Sequence, residues 1–193
     1  MVVPAVAALV LGALQLWPFA VILALVAAFM AYFFRDPYRV IPNQPGVIVS
    51  AADGRVTRVD ETDTGKVVSV FLSPLDVHIN RSPIGGTITN VEYVEGKKLP
   101  AMNNNASYEN ERNSLTIKND EIEVVCKQIA GILARRIVCW NSKGDNLERG
   151  QKFGLIKFSS RTDLILPANV ELFVQVGDRV RGGETIIGKY GNV

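Results

Sequence analysis

The first 34 residues contain no Asp, Glu, Lys or Arg; the first charged side chain is Arg35. All 21 basic and 19 acidic side chains lie in residues 35–193. This asymmetry predicts two parts, an apolar helical head at 1–34 and a globular body at 35–193. As one helix the head would reach roughly 50 Å, against about 30 Å for a bilayer core. Pro18, beside Trp17, offers a break near its middle. Two membrane arrangements follow: one long tilted span, or a hairpin of two short helices dipping into one leaflet. A secretory signal fits less well, because the basic n-region is missing. Trp17, Tyr32, Arg35 and Arg39 are expected to anchor the head at the interface. The two arginines favour a cell-membrane location with the body facing the cytoplasm.

The body narrows the chemistry by what it lacks. His78 is the only histidine, and Cys126 and Cys139 are the only cysteines, among 193 residues. One imidazole and two separated thiols cannot build the usual zinc sites, so no metal is expected. A net charge of +2 gives no nucleic-acid footprint. Any imidazole catalysis must run through His78.

The body reads as mainly β. Segments 46–50, 55–60, 66–72, 84–94, 114–118 and 121–126 are short, rich in Val and Ile, and punctuated by Gly, Pro, Asn and Asp. Asn119-Asp120 looks like a hairpin turn. Residues 129–140 are ambiguous in period, with the strand reading favoured, and 102–113 reads as a loop. Two stretches echo each other: NSKGDNLERGQKFGLIKF and VELFVQVGDRVRGGETIIGKYG. In each a Gly-Asp pair precedes a basic residue, a glycine and an apolar strand. The echo predicts a small barrel-sandwich hybrid assembled from two related halves. Lipoyl- and biotinyl-type domains use a similar rhythm, so it indicates architecture and no chemistry.

Three segments carry reactive side chains. VSAADGRV holds Asp53, which alone reads as a turn aspartate before Gly54. FLSPLDVHINRSP holds Asp76, His78 and Arg81; in a strand, 76 and 78 would share a face, and the acid would orient the imidazole. GLIKFSSRTDLILP places Ser159 and Ser160 after an apolar strand, where paired serines ordinarily belong to a loop.

Taken in order, these segments resemble the short form of phosphatidylserine decarboxylase, a pyruvoyl-dependent family. FFRDPYRVIP follows the apolar head; VSAADGRV, FLSPLDVHINRSPIGGTI, EGKKLPA, NERNSLTI, QIAGILARRIVCW and GQKFGLIKFSSRTDLILP then succeed one another. The resemblance covers nearly the whole chain, and the ordered succession is more specific than any single motif.

The resemblance implies a self-processing enzyme of phospholipid biosynthesis. The Ser160 hydroxyl would attack the Ser159 carbonyl, and elimination would give a β chain, 1–159, and an α chain, 160–193. Residue 160 would become an N-terminal pyruvoyl group, the electron sink for decarboxylating phosphatidylserine to phosphatidylethanolamine. Asp53 matches the family's catalytic carboxylate, and His78 is the imidazole credited with activation and with returning a proton to substrate. Arg81, Arg161 and Lys157 would bind substrate phosphate or carboxylate. Asn110, Arg112 and Asn113 would line the site. The implied partners are the phospholipid, the membrane and the two chains of one precursor; a homo-oligomer stays open.

Two positions depart from the family pattern. Ser159 stands where glycine is common, which leaves open an attack by Ser159 itself on the Phe158 carbonyl. Arg81 stands where longer members carry a second histidine. Three further readings remain: an uncleaved relative that binds lipid, archaetidylserine as substrate, and a lipoyl-like carrier. The carrier needs a lysine on a hairpin tip between small or methionine neighbours, and Lys66, Lys143 and Lys189 lack that setting.

Overall fold

The computed structural model describes residues 2–97, 99–100, 105–132, 136–158 and 160–191. The chain parts into two compact units, Met1–Pro37 and Tyr38–Val193. The first holds α1 (Val2–Ala13) and α2 (Trp17–Phe33). The turn between them falls at Leu14–Leu16, with Gln15 left-handed at φ 60°. Pro18 sits in the first turn of α2, where its missing N–H costs nothing. The head is thus broken near its middle as expected, with Pro18 opening the second helix. It is therefore two helices and not one, and among the described residues no helix is long and apolar enough to cross a membrane.

The second unit is mainly β. Its first half contains β1 (Val47–Val49), β2 (Gly54–Thr62), β3 (Gly65–Leu72), β4 (Ile79–Arg81) and β5 (Gly86–Val94). A single helical turn, α3 (Ala106–Glu109), lies inside the Asn-rich segment expected to be loop. Then come β6 (Arg112–Lys118), β7 (Glu123–Ala130), β8 (Arg136–Cys139), β9 (Asn146–Leu147) and β10 (Lys152–Lys157). The last are β11 (Ser160–Leu166), β12 (Glu171–Leu172), β13 (Arg179–Val180) and β14 (Ile186–Lys189). The ambiguous 129–140 segment is strand at both ends, with 133–135 outside the described residues. β6 and β7 form the hairpin expected at Asn119-Asp120, and the Asn119 side chain caps its turn.

Eight strands make one sheet in the order β13-β2-β3-β11-β7-β6-β5-β9. Two three-stranded sheets, β1-β14-β12 and β4-β10-β8, complete the unit. The order is the same read outward from either side of the β11/β7 centre. The correspondence extends to detail. Register slips fall between Val56 and Arg58 in β2 and between Ile88 and Asn90 in β5. Gly144 and Gly177 have φ near 96° and 102°, and Gly150 and Gly183 have 78° and 80°. Asp145 accepts from Ser142 N at 3.0 Å, as Asp178 does from Gln175 N at 2.9 Å. The sequence echo thus marks a duplicated frame.

The core lies between the sheets and is built by side chains that alternate inward along each strand. Ile48, Val56, Leu72, Ile88, Leu115, Phe153, Leu164 and Ile187 are all buried in it. The segment from 160 onward is woven into the rest. β11 pairs with β3 and β7, β13 with β2, and β14 with β1.

Candidate active site

The chain leaves one sheet and enters another between residues 157 and 160. β10 belongs to a small sheet and β11 to the large one, so the connection must turn sharply. Phe158 makes the turn in the left-handed region, at φ 66°. Such a conformation strains a residue with a Cβ. Ser159 lies outside the described residues. Ser160, the first residue of β11, is fully buried between Leu72 and Ala130. Its Oγ has no hydrogen-bond partner among the described residues. A buried hydroxyl left this way is costly in a structural role.

His78 stands just before β4 and is 3% exposed. Its Nδ1 lies 2.9 Å from the Asp76 carbonyl oxygen. A carbonyl only accepts, so Nδ1 carries the proton and Nε2 is the basic nitrogen of the neutral ring. The Asp76 carboxylate is not the orienting group expected from the sequence. Residues 73–76 form a turn, and this carboxylate accepts from Ser73 N (2.8 Å) and Ser73 Oγ (2.6 Å). The His78 carbonyl also holds Ile156 N at 3.3 Å, four residues before Ser160.

Asp53 occupies the bend before β2. Its Oδ1 accepts from Gly182 N at 2.8 Å, and its Oδ2 from Arg39 Nη2 at 2.7 Å. The described hydrogen bonds thus take Asp53 and His78 to different partners. Arg39 also reaches Glu184 at 3.4 Å, and its side chain is 6% exposed. The interfacial anchor expected at this position is therefore an internal clamp. Gly54 follows at φ 148°, where a Cβ would collide with the Phe71 carbonyl oxygen.

The family model for phosphatidylserine decarboxylase matches residues 26–188. A phosphatidylserine decarboxylase proenzyme of Symbiobacterium thermophilum is 47% identical over 95% of this chain and 89% of its own length. The proenzyme of Chlorobium chlorochromatii is 46% identical over 91% and 85%, and that of Pelodictyon phaeoclathratiforme 45% over 84% and 79%. The chain belongs to the phosphatidylserine decarboxylase family.

The remaining residues singled out in this decarboxylase-family chain hold other positions. Arg81 is buried, and its Nη1 donates to Gly150 O at 3.1 Å. Arg161 is 2% exposed and pairs with Asp163, Nε to Oδ1, at 2.9 Å. It also donates to Ser107 Oγ. As the neighbour of Ser160 in a strand, it points to the opposite face of the sheet. Asn110 is a fully buried brace: it donates to Leu99 O at 2.8 Å and to Ala130 O at 2.7 Å. Ala130 is the residue paired with Ser160. Arg112 Nη1 donates to Tyr108 O at 2.7 Å, and Asn113 to Gln128 at 3.0 Å. Lys157 ends β10 opposite Arg136.

Among the described residues no group of three His, Cys, Asp or Glu side chains is placed to hold a metal. Burial pushes the Cys126 thiol far above its ordinary range and keeps it protonated. A cavity of about 680 Å³ opens beside Gly46, Gly85, Asn119 and Arg149; Asp53, His78 and Ser160 do not line it.

Proposed function

We propose that this chain is a proenzyme that cuts itself before Ser160 and then decarboxylates phosphatidylserine to phosphatidylethanolamine. The family membership supports the reaction. The buried Ser160 hydroxyl at the sheet-switching corner, without a hydrogen-bond partner among the described residues, carries the assignment of the nucleophile. In this reading Ser160 Oγ attacks the Ser159 carbonyl carbon, and the peptide C–N bond gives way to an ester. Removal of the Cα proton of residue 160 expels the Ser159 carboxylate and leaves dehydroalanine. Water then replaces its nitrogen, which departs as ammonia, and a pyruvoyl group remains on 160–193. His78 Nε2 takes the hydroxyl proton, and Asp53 supports the charge that develops. Arg39 and Gly182 hold Asp53 in place from two sides.

The residues present fit a pyruvoyl group, because its parent side chain is buried and makes no competing hydrogen bond among the described residues. Such a group supplies the carbonyl electron sink that no standard side chain offers. In the mature enzyme His78 returns a proton to the substrate carbon. Pairing of β11 with β3 and β7, of β13 with β2 and of β14 with β1 keeps the cut chain assembled.

We assign the head to the membrane as a hairpin lying in one leaflet, with the body on the cytoplasmic side. Both helices lack charge, and Leu9, Trp17, Phe19, Ile22 and Leu25 are exposed. Arg35 stacks on the Tyr32 ring, 3.8 Å from its centroid. A substrate with acyl chains in the bilayer suits such a head. The duplicated frame supports a barrel-sandwich hybrid as the body's architecture.

Decarboxylation of phosphatidylserine in mixed micelles, with and without hydroxylamine, tests the reading. Turnover abolished by the carbonyl reagent is expected. Turnover indifferent to it excludes a ketone cofactor.

A further inference from the structure

Asn80, in the middle of β4, is fully buried. Its Nδ2 donates to Thr162 Oγ1 at 2.9 Å and to the Ala51 carbonyl at 3.3 Å. Its Oδ1 accepts from Gln128 Nε2 at 2.9 Å. Gln128 Oε1 in turn accepts from Asn113 Nδ2 at 3.0 Å. The chain of amides runs in one direction, from Asn113 through Gln128 to Asn80. This order fixes which end of each amide donates.

The three segments that Asn80 joins are the three that carry the candidate chemistry. His78 lies two residues before Asn80. Asp53 lies two residues after Ala51. Ser160 lies two residues before Thr162, on the same face of β11. Ala51 O also receives Arg81 N at 2.9 Å, so β4 and the Asp53 bend are tied by backbone as well. β4 and β11 belong to different sheets. The Asn80 amide crosses that gap directly between them.

We propose that Asn80, acting through Thr162, is a positioning residue that sets Ser160 against His78 and Asp53 for self-cleavage. The proposal rests on the self-processing reading above and goes beyond it. Removing one partner of a buried amide costs stability in either case, but where the amide serves stability alone, a variant that still folds cleaves at the parental rate. Where the amide positions, the folded variant is slow, because a misplacement of about 1 Å costs roughly a hundredfold in rate.

Two exchanges at Thr162 separate these cases. Thr162→Val keeps the shape and removes the acceptor. Thr162→Ser keeps the acceptor and removes a methyl group. Asn80→Asp keeps the shape but donates only when its carboxyl is protonated. The full-length chains are made by cell-free synthesis, and cleavage is followed on gels well below each variant's own melting temperature. Thr162→Val is expected to cleave at least tenfold more slowly than the parent, and Thr162→Ser close to parental rate. Asn80→Asp is expected to be slow at neutral pH, and its rate relative to the parent at the same pH is expected to recover as pH falls. If Asn80→Asp does not fold, the Thr162 pair decides alone. Thr162→Val keeping pace with the parent, or Thr162→Ser proving the slower of the pair, overturns the proposal while self-processing stands. A parent chain that never splits overturns self-processing and this proposal with it.

Discussion

Arg39 and Asp53 meet at 2.7 Å with only 6% and 15% of their side chains exposed, and Gly182 N closes the other carboxylate oxygen. Arg39 belongs to the segment that leads from the head, and Gly182 and Glu184 to the segment after the proposed cut. One guanidinium therefore ties the candidate acid to both future chains. Arg39→Ala is expected to lose about 2–3 kcal/mol of stability, since it takes the shared cation away from two largely buried carboxylates. Urea denaturation checks the loss, and a cleavage time course is expected to slow with it.

Glu184 gives this clamp a pH dependence. Its carboxyl is held below the ordinary value, first by the Val40 N–H and then by the charge of Arg39. A depressed folded pKa stabilises the protein above the unfolded value, and that stabilisation is lost as pH falls through the folded one. Melting temperature is therefore expected to fall on acidification below the ordinary glutamate range. Glu184→Gln is expected to remove part of that slope.

The Asp76 carbonyl dictates the tautomer of His78. Because the chain has one histidine, nitrogen NMR reads it without assignment. The expected neutral form carries its proton on Nδ1. A proton on Nε2 would contradict the role given to that nitrogen.

The exposed apolar face of α1 and α2 predicts flotation of the full chain with phospholipid vesicles. Placing a charge on each helix, as in Leu9→Asp with Ile22→Asp, is expected to abolish flotation at no more than about 0.5 kcal/mol in body stability, as for surface changes. Equal flotation of the variant would refute leaflet insertion.

The strands of the large sheet were legible because β-branched runs broken by Gly and Asp have few alternatives; β2, β3 and β5 appear close to where the pattern put them. The duplicated frame was legible in the Gly-Asp echo. α3 was not, since a single turn in an Asn-rich segment has no period to read. Side-chain partners were harder. Asp76 lies two residues from His78, yet its own turn captured its carboxylate. Arg161 adjoins Ser160, but strand alternation alone sends it to the other face. Arg39 with Glu184, and Asn80 with Thr162, are separated by 145 and 82 residues, and no local pattern announces such pairs.

The intact mass of the purified protein tests the central claim most directly. Two polypeptides are expected, 1–159 and 160–193, the shorter one lacking a free amino terminus, with Ser160→Ala giving one uncut chain. A parent protein that stays in one piece while it decarboxylates its lipid would contradict the account.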